Sequence, residues 1–433
     1  MSSEKVKVDS ALRDVEDAPQ LDDPKVYKPV LYGISYVLVF RIIWQSFTIS
    51  ARVKIVTDAL KGDSAAAART LGRIFATGSF LEFLVGPLFG QLSDIYGRKF
   101  VMQLSPVATF IANAMVLIRP HSLWVHYLRV PVIALDTAFF AATRAMMADV
   151  MSGRNIAENG FINMAAAGVA AVVAPMVAAK ISVRNRFRAA TALAAMSFFV
   201  FHRMRETLPS SRRMKPSCLK FHSYSPFAFY QLFTNGRGLA TLSLVSWTQT
   251  FTDARLVDEP ATFVMREKLQ MSDRGLQRQL TLMGASTVGG VPVGKFSVRW
   301  LGRLGHTHAS HLSRVLGFCL WSRATSRIDL IVTQFILMFG QRQRDGVETL
   351  MTEIGIRKGM GIGQMEAYKM NWRSVSNFLT PLMYARAFSW GKTHGILGTP
   401  FVIAAMLSAL AEFIFLTVKE TELCSEMGVS RVR

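Results

Sequence analysis

The sequence predicts an all-α polytopic membrane protein, with about twelve transmembrane helices forming two pseudo-repeated six-helix bundles. Composition is the first observation behind that class. Of 433 residues, 51% are hydrophobic and only 18% charged, and mean hydropathy is +0.27, a balance more apolar and less charged than soluble domains show. The second is patterning: apolar runs, many near the roughly 20 residues that span about 30 Å of hydrocarbon, alternate with short charged turns. The third is internal repetition. Gly86-x-x-x-Gly90 returns as Gly290-x-x-x-Gly294, and Ala174-Pro175-Met-Val-Ala178-Ala179 returns as Thr380-Pro381-Leu-Met-Tyr384-Ala385, at offsets of 204 and 206 residues. Residues 226–418 therefore repeat residues 30–204, the parallel arrangement of two bundles. The copy is degenerate where charge matters, because Val298 stands where Asp94 would recur and Gly302-Arg303 is displaced by one residue.

Charge and cysteine content narrow the function classes. The formal charge is +21, which in a soluble chain would suggest nucleic-acid binding. Here Lys and Arg punctuate apolar runs, as expected when basic loops stay on the cytoplasmic side, so nucleic acid is not expected as a partner. Cys218, Cys319 and Cys424 have no pairing or metal-ligand spacing, so free thiols and no metal are expected. No Gly-x-x-x-x-Gly-Lys-Ser/Thr phosphate loop occurs, which excludes ATP-driven transport. No cofactor is implied.

Each segment follows from these patterns. Residues 1–29 carry mixed charge and few apolar groups, and read as a disordered cytoplasmic tail. Span 1, about 31–50, places Arg41 and Gln45 inside an aromatic, apolar segment, and such intramembrane polar groups usually face a cavity. Span 2, about 71–92, carries Glu82 together with Gly78, Gly86 and Gly90 at fourfold spacing. Gly86 and Gly90 on one face suit close approach of a second backbone. Span 3 covers about 101–118, and span 4 starts near 123 with Arg129 and Asp136 seven residues apart. Two helical turns return them to nearly one face, so they are expected to share a cavity. Span 5, about 160–179, holds Ala170, Ala174, Pro175, Ala178 and Ala179, a small-residue packing face around a proline. Span 6 runs over about 189–201.

The linker, residues 205–225, includes Arg212, Arg213, Lys215 and Lys220 and is the most basic long loop. It is placed in the cytoplasm, and an even span count puts both termini there. In the second half, spans fall at about 238–251, 280–296, 312–321, 328–339, 365–388 and 397–418, with a polar stretch over 253–278 and a charged cytoplasmic tail over 419–433. His306, His308 and His311 fall in a predicted cytoplasmic loop without a completing acid or cysteine, which argues against a membrane-embedded metalloenzyme and against enzyme activity altogether.

The densest motif is Gly86-Pro-Leu-Phe-Gly90-Gln-Leu-Ser-Asp94-Ile-Tyr-Gly97-Arg98-Lys99, a short charged turn between two apolar runs. Gly97 suits a reversal needing positive φ. The pattern resembles the loop between helices 2 and 3 of the major facilitator superfamily, at every charged and glycine position. The resemblance implies that Asp94, Arg98 and Lys99 form a conformational latch with Asp149, the acidic end of helix 4 in Thr143-Arg144-Ala-Met-Met-Ala-Asp149, and that Asp94 accepts from a helix N-terminus of the second half. Leu123-Trp-Val-His-Tyr-Leu-Arg129 is similar to the arginine-bearing start of helix 4 in proton-coupled members, with Ile133 at the usual glycine. The helix 5 face is similar to the Gly-x-x-x-Gly-Pro-x-x-Gly-Gly signature of the family's antiporters, with alanine at each glycine. Arg205-Glu206-Thr-Leu is similar to the run that closes helix 6, and together these features look closest to the drug/proton antiporter branch.

A secondary active transporter that moves a small solute by alternating access is the function the resemblance implies. Protons, the lipid bilayer and a small molecule are its expected partners, and a monomer its expected state. Arg41, Gln45, Glu82, Arg129 and Asp136 are the candidate substrate and proton site. The alternative is a transporter-like receptor or scaffold without transport activity, suggested by the alanines replacing helix 5 glycines and by the missing second-half acid at Val298.

Overall fold

The computed structural model describes residues 22–151, 153–214, 227–252, 254–360, 362–418 and 423, and those residues are almost entirely helical. Residues 1–21 of the expected 1–29 tail, most of the basic linker, and the C-terminal tail apart from Leu423 lie outside them; the rest of that expected tail is corrected, since Asp23 caps a helix that already begins at Pro24. Helix α1 spans Pro24–Ala59, α2 Ser64–Tyr96 and α3 Arg98–Ile118. Next come α4, Leu123–Ala134, a 3-10 turn, Leu135–Thr137, and α5, Ala138–Val150, which together make the fourth pass. Helices α6, Gly153–Ala178, and α7, Val183–Arg203, complete the first half. In the second half a short α8, Gln231–Thr234, precedes α9, Arg237–Phe251, and α10, Ala254–Glu267, which form one pass. Helix α11, Asp273–Arg323, contains a break at Gly302 (φ 69°) that makes it two passes. Then follow α12, Arg327–Gly340, α13, Gln343–Arg357, α14, Ile362–Thr393, and α15, Thr399–Leu416. Counting α12 with α13 as one pass gives twelve, six in each half.

Local chemistry sets the helix ends. Asp63 caps α2 by accepting from the Ala65 and Ala66 N–H groups at 2.9 and 3.0 Å, which satisfies two amides that lack helical partners. Ser326 and Asp329 form a reciprocal capping box at α12. Gly97, at φ 101°, joins α2 directly to α3, a reversal that a side-chain-bearing residue adopts only under strain.

Large side chains left at the surface, among them Phe110, Phe199, Leu316, Phe335 and Phe413, face outward from α3, α7, α11, α12 and α15. That is the arrangement for a chain whose solvent is lipid. By length and composition, three described helices would span a membrane on their own: α1, α3 and α15, with bent α2 a fourth. The remaining passes carry buried polar groups or breaks. Several expected boundaries are corrected accordingly. The polar stretch over 253–278 holds helix α10, the ninth pass begins at 303 instead of 312, and α13 occupies residues expected to be loop.

Among the described residues, the shared core of the two halves lies toward one end, and contacts thin out to single aromatic pairs, Phe80 with Phe378 at 5.7 Å and Phe83 with Phe227 at 5.6 Å, toward the other. Near the start of α2 and the end of α14, Val53, Val56, Ala68 and Leu71 of the first half share a core with Val264, Leu276, Tyr384 and Phe388 of the second. Gln277 Nε2 donates to Ser50 Oγ at 2.7 Å across that seam. Backbones touch closely there: a Cβ on Gly72 would stand 2.8 Å from the Pro381 carbonyl oxygen. At the opposite end, a Cβ on Gly86 or Gly90 would meet nothing within 4 Å. Among the described residues the expected close approach at those two glycines is therefore absent in this conformation, although Phe83, one turn before Gly86, packs on Phe227 of the second half. Their repeat counterparts do make it, Gly290 against Gln341 (2.7 Å) and Gly294 against Arg342 (2.9 Å).

Candidate functional site

The turn between α2 and α3 gathers four charged residues of the first half. Arg98 Nε donates to Asp149 Oδ2 at 3.1 Å, Arg98 Nη1 donates to Ser93 Oγ at 2.7 Å, and Arg98 also pairs with Asp94. Glu206 closes the set. Its carboxylate accepts from the Arg98 N–H at 3.0 Å and the Lys99 N–H at 3.2 Å, an acid at the N-terminus of α3 where the helix dipole favours negative charge. Thr207 Oγ1 adds a bond to Asp149 at 3.0 Å. Asp94 was expected to accept from a second-half helix. Here, among the described residues, its ion pair is with Arg98 of its own half, and its backbone carbonyl accepts from the Met214 N–H at 2.9 Å.

Inside the first bundle, Asp136 pairs with Arg41 at 2.5 Å and accepts from Ser105 Oγ at 2.5 Å. The Arg41 guanidinium also lies 5.0 Å from the Phe139 ring and 5.8 Å from Trp44. A small cavity, with room for about one water, adjoins this group, lined by Trp44, Thr109 and Ser197 among others, all within the first bundle. The expectation that Arg129 and Asp136 share a cavity is corrected: Pro131 and the 3-10 turn at 135–137 interrupt the helical register, turning Asp136 toward α1. Arg129, 3% exposed, instead experiences the charges of Arg52 and Glu259. Gln45 and Glu82 are half-buried on α1 and α2.

On α6, Ala170, Ala174 and Ala178 are buried, the last two in a cluster with Phe47 of α1, while Ala179 is half-buried beside buried Pro175. The next face of α6 touches α11, where a Cβ on Gly284 would stand 2.5 Å from the Ala171 carbonyl oxygen. The alanine face is thus a packing seam in this structure.

The family model described as Major Facilitator Superfamily matches residues 33–341. The chain belongs to the major facilitator superfamily. Solved structures agree on the fold. The chain is similar to the human organic anion transporter MFSD10 (TETRAN), with 18% identity and TM-score 0.66 over 90% of this chain and 99% of that one. It is similar to a D-xylose-proton symporter at 15% identity and TM-score 0.67, covering 91% and 97%, and to a POT peptide transporter at 12% and 0.70, covering 92% and 95%. No curated protein matches the chain. It is an integral multi-pass membrane protein of a transporter family, not an enzyme; the similarities do not single out the drug/proton antiporter branch.

The second half of this facilitator holds two charge sites absent from the sequence-based expectations. Arg303 Nη1 donates to Glu353 Oε1 at 2.7 Å, which restates Arg98 with Asp149 at offsets of 205 and 204 residues. Extending the repeat offset beyond Val298 would have found it. The second is on the ninth and twelfth passes: His308 Nδ1 and His311 Nδ1 lie 2.6 and 2.7 Å from the two Glu412 carboxylate oxygens. His311 Nε2 also meets Gln249 Nε2 at 2.7 Å. The histidines expected in a solvated loop are helical, and His306 and His311 are fully buried.

Proposed function

We propose that this protein is a secondary active transporter that moves a small solute by alternating access, with protons as the driving ion. The observation that carries the reading is the uneven packing of the halves among the described residues. Apolar side chains and polar bonds join them near Ser50 and Gln277, whereas the Gly86 and Gly90 face of α2 stands uncovered at the other end. Two small residues aligned for a backbone partner that is absent in this conformation support a second one, in which the open end closes and the packed end parts. The basic bias of the linker, with Arg203, Arg205, Arg212 and Arg213 at its start, supports placing the open end in the cytoplasm, with both termini on the same side.

Reconstitution of the full chain in proteoliposomes, with uptake of a panel of anionic, cationic and neutral solutes under an imposed pH gradient, tests the reading. Accumulation of one solute class above empty vesicles is expected. Solute binding without accumulation of any member would replace transport by the receptor function.

A further inference from the structure

We propose that Arg52 and Arg129 form an anion-recognition site between the two halves, and that the transported solute is a small organic anion bearing a carboxylate or phosphate group. The substrate class rests on the transport reading; the site does not. Arg129 is the deciding residue. It is 3% exposed, yet among the described residues it makes no hydrogen bond and no ion pair, and its Nε is buried without a partner. Other buried arginines of the first half have carboxylate partners, although the Arg41 Nε also makes no hydrogen bond among the described residues. Arg186 donates to the Ala178 and Ile181 carbonyls and to Asp273, and Arg41 holds Asp136. An isolated guanidinium inside a membrane protein is costly, and a fold keeps one where a ligand supplies the missing charge.

The charged surroundings are basic on the first-half side and acidic on the second-half side. Arg52 of α1 acts electrostatically on Arg129 of α4, and both feel Glu259 of α10 in the second half, without an ion pair to it. Arg52 lies 4.8 Å over the Phe75 ring with its own Nε unpartnered. His126, one turn from Arg129, adds a third group within the reach of both arginines. The site falls at the edge of the core that joins the halves, since Val53 beside Arg52 and Ala261 beyond Glu259 belong to it. Two planar guanidiniums present paired donors that match carboxylate and phosphate oxygens, which ammonium groups do not. An anion held there bridges Arg52 of α1 and Arg129 of α4 and stands against Glu259 of α10, so occupancy bears on the seam that must part during transport.

The test uses the full chain in nanodiscs of zwitterionic lipid, with glutarate and inorganic phosphate as probes and tetraethylammonium as the cationic control, read by titration calorimetry. Saturable binding of glutarate or phosphate is expected, weakened at least tenfold by Arg129→Gln and by Arg52→Gln and less by Arg129→Lys. If Arg129→Gln fails to fold, Arg52→Gln and Arg129→Lys still decide the matter. The thermal midpoint of ligand-free Arg129→Gln should equal or exceed wild type, because an unpaired buried charge has been removed; a structural role would lower it. Absence of anion binding to wild type, or equal binding by Arg52→Gln, overturns the site. So does anionic lipid, added to the nanodisc, that occupies the site and excludes both probes. Binding without uptake in proteoliposomes keeps the site and removes the transport reading, whereas uptake of tetraethylammonium without anion binding does the reverse.

Discussion

Arg186, at the start of α7 in the first half, donates to Asp273, at the start of α11 in the second, at 3.1 Å. Their side chains are 3% and 34% exposed, so one partner is buried and the other is reached by water. Asp273 also receives Arg266 at 2.6 Å. The ion pair bridges the halves at the packed end, and it must break if that end opens.

Asp273→Asn should therefore shift the equilibrium toward opening at this end. The half-exposed carboxylate limits the effect to about 1 kcal/mol, or roughly fivefold in population. A cysteine placed at Ala68, inside the shared core, should be labelled about fivefold faster in that background. Equal labelling with and without Asp273→Asn would show that the pair does not restrain the seam.

Gly97→Ala tests the turn at the other end. Its positive φ and the Glu206 carboxylate beside the missing Cβ both oppose a side chain, and the backbone contribution alone is about 1 to 2 kcal/mol. Glu206→Gln should lower the thermal midpoint as well, since charge-assisted bonds to the Arg98 and Lys99 amides become neutral ones. A midpoint unchanged in both variants would mean that Glu206 does not hold the α3 terminus.

The turn was legible in the sequence because its determinants are local: Gly97, Arg98 and Asp94 lie within five residues, and short apolar flanks force α2 and α3 together. The first six passes were legible for a related reason, as each is apolar enough to stand out. The ninth and tenth passes were legible only in their apolar parts, about 312–321 and 328–339. His306 is bonded to the Arg342 carbonyl, and His311 and Gln343 both to Gln249 of α9, so hydropathy reads these polar extensions as loop and hides Glu353 with them. Asp136 was missed as the partner of Arg41 because ideal helical spacing ignores the 3-10 turn that carries it. The unpaired state of Arg129 is invisible to sequence, since it depends on what three separate helices leave out.

Asp63 supplies a prediction for stability against pH. The Ala66 amide, more than any other group, holds its carboxyl below the ordinary carboxylate range, with Ala65, Arg69 and Lys392 adding to the effect against desolvation. A depressed acid contributes stability above its unfolded pKa of about 3.9, and that contribution is lost as pH falls through the lower folded value. Asp63→Ala should lower the thermal midpoint at pH 7, the usual cap being worth about 1 kcal/mol, and the difference from wild type should shrink below about pH 4. A gap of constant size down to pH 3 would remove the carboxylate from the explanation.

The two buried acid clusters are expected to respond differently to an imposed pH gradient. Asp136 faces the Arg41 guanidinium and the Ser105 hydroxyl. Glu412 lies between His308 and His311, with Arg314 the further charge acting on His311, and imidazoles are the side chains whose ordinary titration falls near neutrality. Asp136→Asn removes the partner of a buried guanidinium, a loss of about 3 to 5 kcal/mol for such pairs, softened here by the Trp44 and Phe139 rings. It should destabilise the protein while the surviving fraction still accumulates solute along a pH gradient. Glu412→Gln keeps the shape of the cluster but deprives both imidazoles of their carboxylate, and it should flatten the dependence of uptake on that gradient. The measurement is initial uptake per folded molecule at several inside pH values with the outside fixed. Wild-type dependence in Glu412→Gln together with a flat profile in Asp136→Asn would exchange the two roles and make the Arg41 pair the proton-carrying site.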